Sequence, residues 1–168
     1  MRVAALYDVH GNLPALEAVL AEIPDGATIV VGGDVAAGPS PQEVVDRLRA
    51  LGDRVLWLRG NADRELSDEK PGLAPPEVIE WVRARTDART IKWLGQLPLT
   101  LVCDVDGIGR VLFCHATPLN DEDIFTERTP EAQVADQFAV DADLVVCGHT
   151  HSQFERWIGG VHVVNAGS

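Results

Sequence analysis

The chain has 168 residues, enough for one domain with a sizeable core, and 46% of them are hydrophobic. Its formal net charge of -12 disfavours simple electrostatic binding to nucleic acid or to an anionic membrane. It leaves open an anionic substrate whose charge is offset by bound cations. No apolar run approaches the ~20 residues of a membrane helix. The first apolar stretch, Val3 to Tyr7, ends at Asp8 and is too short for a signal peptide. Cys103, Cys114 and Cys147 lie in or beside apolar runs without a CxxC pair, and read as buried free thiols of a reducing compartment. A cytoplasmic enzyme is the expectation. The acidic groups Glu65, Asp68 and Glu69, and Asp121, Glu122 and Asp123, read as solvated surface.

In chain order, Val3 to Tyr7 reads as a strand buried on both faces, followed by a loop at Asp8-Val9-His10-Gly11-Asn12. Leu13, Leu16, Leu20 and Ile23 recur at helical spacing, with Pro14 in the first turn. Ala27 to Val31 is a second strand, ending in Gly32-Gly33-Asp34. Ser40-Pro41-Gln42-Glu43 has the form of a capping box opening a helix, with Gly52 placed to stop it. Val55 to Leu58 is a third strand, ending in Arg59-Gly60-Asn61. This β-α-β-α-β order implies parallel strands with right-handed crossovers, and in such sheets the loops after the strands carry ligands.

Leu66 to Pro76 reads as a charged, proline-rich loop, and Glu77 to Arg85 and Ala88 to Leu94 as helices. Leu99 to Val105 and Arg110 to Phe113 form a hairpin about Asp106-Gly107. Pro130 to Phe138 reads as a helix and Leu144 to Cys147 as a buried strand. Phe154 to Ile158 and Val161 to Val164 make a second hairpin about Gly159-Gly160. Trp57, Trp81 and Trp93 sit in apolar patterns expected in the core, Trp157 on a hairpin surface, and His162 in a structural role.

Seven nitrogen- or oxygen-bearing residues stand just past apolar runs: Asp8, His10, Asp34, Asn61, His115, His149 and His151. A lone D-x-H or G-D is common by chance. Two histidines two apart in Gly148-His149-Thr150-His151, after a buried strand, are less so. The set is far more specific than any member, because every member recurs at the same kind of place.

This ordered set, D-x-H, G-D, G-N, a single histidine and G-H-x-H, resembles the calcineurin-like metallophosphoesterase family over Val3 to Ser168. Within it, the chain looks most like the small bacterial and archaeal phosphodiesterases and the diadenosine-tetraphosphatase-like members. The resemblance implies an α/β fold of two packed mixed β-sheets flanked by helices, as one domain over residues 1–168. It also implies two divalent transition-metal ions from among Mn, Fe, Zn, Ni and Co, with Mn favoured. Asp8, His10 and His151 would hold one ion, Asn61, His115 and His149 the other, and Asp34 would bridge them. Asp34, Asn61 and His115 would act in catalysis by positioning metal and phosphate. The implied reaction is in-line attack on phosphorus by a hydroxide bridging the ions. The implied partner is a small phosphorylated substrate, such as a nucleotide.

Two positions depart from the family pattern. Many relatives carry a histidine after the asparagine that helps protonate the leaving group, and here Ala62 stands there. This favours diesters, anhydrides or aryl esters over alkyl monoesters. Nearby, Asp63 is expected to hydrogen-bond a ligand and Arg64 to contact a phosphate oxygen, with a salt bridge between neighbours as the alternative for both. At the end, Asn165-Ala166-Gly167-Ser168 stands where relatives continue for several strands. This reads either as a short gene or as a fragment lacking the last strands, with an exposed edge free to pair in a homo-oligomer. Competing readings are a serine/threonine-type phosphomonoesterase and a non-catalytic scaffold on the same fold. A dinucleotide-binding Rossmann protein is weaker, since G-x-G-x-x-G is missing after the first strand. Substrate specificity would lie in the loops Arg64 to Pro76 and Thr117 to Pro130.

Overall fold

The computed structural model describes residues 1–68 and 72–168 of the protein. Part of the loop expected over 66–76, and Glu69, lie outside the described residues. The first three strands, β1 (Val3–Leu6), β2 (Thr28–Val31) and β3 (Val55–Trp57), pair in parallel in the order β1-β2-β3. Between them run helices α1 (Leu13–Glu22) and α2 (Pro41–Arg49). The second sheet holds β4 (Thr100–Val105), β5 (Gly109–Cys114), β6 (Leu144–Cys147), β7 (Phe154–Ile158) and β8 (Val161–Asn165), in the order β4-β5-β6-β8-β7. Its two hairpins are antiparallel and its central pairings parallel. Of the two sheets expected to be mixed, only this one is; the first is wholly parallel.

Period-2 alternation stacks the layers. Ile29 and Val31 of β2 face the helices with Val44, Val45 and Leu48, while Val30 faces the second sheet with Val111, Phe113 and Val146. Tyr7 lies in that interface, and its hydroxyl donates to the Val146 carbonyl at 2.8 Å. The outer face of the second sheet is covered by Phe125, Val134 and Phe138. The helix expected over 130–138 is two tight 3-10 turns, Glu131–Gln133 and Ala135–Phe138, broken at Val134 with φ −126°. Val134 and Phe138 are both buried, so short turns achieve the burial that a full helix would have served.

Other expectations are also revised. β1 is an edge strand and only half-buried. Beside it opens a cleft of about 580 Å³, lined by Leu6, Leu16, Val19 and residues 166–168 among others. Ser40 makes no side-chain cap, and Pro41 alone marks the start of α2. Asn61–Ser67 forms helix α3, which takes in the first two residues of the loop expected from Leu66, and is followed by α4 (Pro76–Arg83) and α5 (Ala88–Gly95). Arg83 of α4 donates to the carbonyls of Glu65, Leu66 and Asp68, supplying partners that the end of α3 lacks. Trp57 and Trp93 pack edge to face at 4.9 Å against the helix-side core. Trp81 is instead 40% exposed, because α4 turns Ile79 and Val82 inward. Trp157 is exposed, stacked on His162, whose other neighbour is Glu155. Among the described residues no helix is long and apolar enough to cross a membrane.

Phe113 is 2% exposed between the sheets. Phe113→Ala is expected to cost about 3–5 kcal/mol, measured as a lower urea midpoint with an unchanged slope.

Candidate metal centre

All seven expected ligands lie on one rim, where the carboxyl ends of β1, β2, β3, β5 and β6 meet. Asp8 and His10 follow β1, Asp34 follows β2, and Asn61 opens α3 just after β3. His115 follows β5, and His149 and His151 follow β6. Ligand-type atoms of Asp8, His10 and His151 cluster within 4.8 Å of one another, and so do those of Asp34, His115 and His149.

Backbone conformation marks the same residues. Asp8, His10, Asp34, His149 and His151 have φ of 52°, 45°, 53°, 68° and 55°, and they are the non-glycine residues with positive φ among the described residues. L-residues rarely adopt this region, and the strain persists only where surrounding bonds hold it. Those bonds are present. His10 N–H donates to the Asp34 carbonyl at 2.9 Å and Gly148 N–H to the His115 carbonyl at 2.8 Å. His149 N–H donates to Asp8 Oδ2 at 2.9 Å, joining the loops of the two sheets. Gly60 is needed for close approach: a Cβ there would run into the Asp34 carboxylate.

The imidazoles are oriented from behind. His115 Nδ1 donates to the Gly32 carbonyl at 2.9 Å and His10 Nδ1 to the Ala37 carbonyl at 3.2 Å. Each leaves Nε2 aimed inward, where it offers a lone pair in the neutral form of the ring. His149 Nε2 is engaged by the Glu122 carbonyl at 3.2 Å, which leaves Nδ1 for coordination. His10 Nε2 and His151 Nε2 approach to 3.1 Å. Two nitrogens bound to one ion at about 2.0–2.1 Å would stand about that far apart.

Asp34 lies between the two groups. Its Oδ2 is 3.7 Å from His10 Nε2 and 3.4 Å from His115 Nε2, while its Oδ1 accepts from Ala62 N–H at 2.8 Å. Asp8 Oδ1 is buried without a hydrogen-bond partner, 3.5 Å from His151 Nε2. Burial pushes the Asp8 carboxyl up to about 6, with His115 opposing the rise and Asp34 adding to it. Burial alone would raise Asp34, but His115 and His10 hold it below the ordinary carboxylate range. Burial likewise opposes charge on His115, yet Asp34 and Asp8 raise it to about 9. An orphaned buried oxygen, two buried acids and four imidazoles with ring nitrogens turned toward them fit divalent cations, which would take the place of the His115 proton. The donor chemistry suits transition metals rather than an all-oxygen calcium cage.

The neighbours expected at the site behave differently. Asp63 is fully buried and binds backbone: its oxygens accept from the N–H groups of Asp34 at 2.8 Å, Gly60 at 3.1 Å and Val35 at 3.1 Å. It thereby clamps the β2 and β3 loops together. Arg64 reaches across to Asp121 at 3.1 Å and Glu122 at 2.8 Å, and Arg59 meets the same Asp121 at 3.2 Å. Asp121 is therefore a buried pair partner, 4% exposed, and Glu65 is 2% exposed. Neither is the solvated acid expected, because each has inward donors that repay its loss of water. Asp121 pins the 117–123 loop beside His149. Helix α3 is the signal that was missed: once Asn61 opens a helix, Glu65 falls on the same face one turn later.

Two packed α/β layers bring two groups of metal-ligand-type residues to one rim. The chain belongs to the calcineurin-like phosphoesterase superfamily, whose domain model matches residues 1–168. It is 32% identical over 162 residues to MJ0912, an uncharacterized protein of Methanocaldococcus jannaschii, covering 90% of this chain and 63% of that one. It is 35% identical over 117 residues to a symmetrical bis(5'-nucleosyl)-tetraphosphatase of Pectobacterium carotovorum, covering 65% of this chain and 41% of the relative. Among solved structures, a metallophosphoesterase from Sphaerobacter thermophilus superposes with a TM-score of 0.75 at 26% identity, covering 100% of this chain and 76% of that one. The chain thus spans less than two thirds of the length of these two sequence relatives.

Asp63→Asn puts an NH2 group against backbone N–H donors. It is expected to cost about 2–3 kcal/mol in urea denaturation of the metal-free protein.

Proposed function

We propose that this protein is a metal-dependent phosphoesterase that hydrolyses phosphodiesters or nucleotide anhydrides with two divalent ions. Asp8, His10 and His151 would hold one ion and Asn61, His115 and His149 the other, with Asp34 placed between the two groups. The observation that carries the reading is Asp34 Oδ2, within 3.7 Å of a histidine from each cluster. When bound, such ions lower the pKa of water and neutralise phosphate oxygens. The mixed imidazole, carboxylate and amide set suits Mn, Fe, Zn, Ni or Co, and manganese is the ion proposed.

The chain's own residues do the rest. Strained loops fix the donor atoms before any ion arrives, so little reorganisation remains. The Asp121 ion pairs hold the 117–123 loop over one side of the centre. Ala62 offers no proton donor; its N–H is spent on Asp34 and its side chain is 3% exposed. Leaving groups that depart without protonation are therefore favoured. A relative named as a tetraphosphatase supports a nucleotide substrate.

Metal-stripped protein is expected to hydrolyse bis-p-nitrophenyl phosphate only after Mn²⁺ is added, and Asp34→Asn is expected to fall to the metal-free rate. Mn²⁺-independent turnover, or none in a folded wild-type protein, would sink the reading. The loaded enzyme is also expected to favour aryl diesters over alkyl monoesters by about 10²–10⁴-fold in kcat/KM, the worth of a general acid.

A further inference from the structure

Glu65 lies outside the ligand set, yet it is 2% exposed and all its hydrogen bonds run inward. Its Oε1 accepts from Asn61 Nδ2 at 3.1 Å and from Leu73 N–H at 2.8 Å, and its Oε2 from Ala74 N–H at 2.9 Å. Gly72 lets the chain pass this close, because a Cβ there would run into the Glu65 carboxylate. Backbone and side chain on both sides are thus shaped around one buried acid.

The chemistry of the contact decides what it does. An ionised carboxylate only accepts hydrogen bonds, whereas an asparagine amide has a donating and an accepting end. Facing Glu65, Asn61 must turn its NH2 toward the acid. Its Oδ1 then points the other way, where His115 Nε2 lies 3.2 Å from it. Only the oxygen end of an amide has a lone pair for a cation. With the amide reversed, Asn61 would present N–H to the ion.

We propose that Glu65 is a positioning residue that selects the metal-ligating face of Asn61 and so sets the affinity of the second ion. The proposal rests on the two-ion reading above. Glutamine at 65 has one oxygen and one NH2 for three N–H donors, so a donor must face a donor. The preference of Asn61 for one orientation is then lost.

The test is calorimetric titration of metal-stripped protein with Mn²⁺, for wild type, Glu65→Gln, Asn61→Ala and the double variant. Wild type is expected to bind two ions. Glu65→Gln is expected to bind the second about 10–100-fold more weakly, with the first unchanged. In the Asn61→Ala background, Glu65→Gln is expected to add no further loss. A Glu65→Gln protein that loses urea stability but keeps both affinities overturns the proposal. So does an equal loss with and without Asn61. A wild type binding only one ion overturns the two-ion reading and this inference together. A measurement free of any variant is NMR exchange of the Asn61 side-chain NH2, before and after Zn²⁺ loading. Protection in both states is expected; fast exchange on loading shows the amide leaving Glu65 and overturns the proposal.

Discussion

Asp8 and Asp34 stand side by side out of water, and most of the surrounding structure answers to that fact. Two like charges in a poorly solvated space repel strongly unless positive charge or donors sit between them. Four imidazoles are turned toward the pair, with Nδ1 of His10 and His115 tied to backbone carbonyls behind. Backbone N–H groups of Ala62 and His149 supply one donor to each acid. What is left over is Asp8 Oδ1, buried and without a partner. The balance is unfinished in the direction that added cations complete.

Holding such a group together requires two sheets. The parallel sheet delivers Asp8, His10, Asp34 and Asn61, and the mixed sheet delivers three histidines. Neither sheet carries a full set. The Tyr7–Val146 bond and the Val30, Phe113 and Val146 contacts lock the sheets face to face. The Asp8–His149 bond does the same at the rim. Asp63 serves the parallel half alone, clamping the loops of β2 and β3. Core packing and site geometry are therefore one problem here, since a shift of one sheet against the other would separate the two halves of each ligand cluster.

The positions of the candidate ligands were legible because each follows a short apolar run, and that pattern survives folding. The strands were legible for the same reason, down to the two hairpins. What was not legible depends on partners distant in the chain. Asp121 looks like a surface acid until Arg59, 62 positions earlier, and Arg64 are brought to it. Glu65 looks like one until Leu73 and Ala74 fold back over it. Helix α3 has little apolar periodicity of its own and depends on Arg83 to satisfy its last carbonyls. The left-handed backbone of the five candidate ligands is only weakly signalled by residue type, since aspartate and histidine adopt it more often than most residues but still rarely. Ala62 was visible at once as a departure, but its backbone bond to Asp34 was not.

The two thiols nearest the centre carry a consequence of their own. Cys114 adjoins His115 and Cys147 comes two before His149, yet both are fully buried. Burial pushes the Cys147 thiol up to about 12 and Cys114 well above its ordinary value. Only the thiolate binds soft ions or reacts with peroxide. Sulfur thus stands within a residue or two of the candidate ligands, held by burial as the thiol rather than the thiolate. To any ion held at this rim, the neighbouring chain offers oxygen and nitrogen while withholding sulfur.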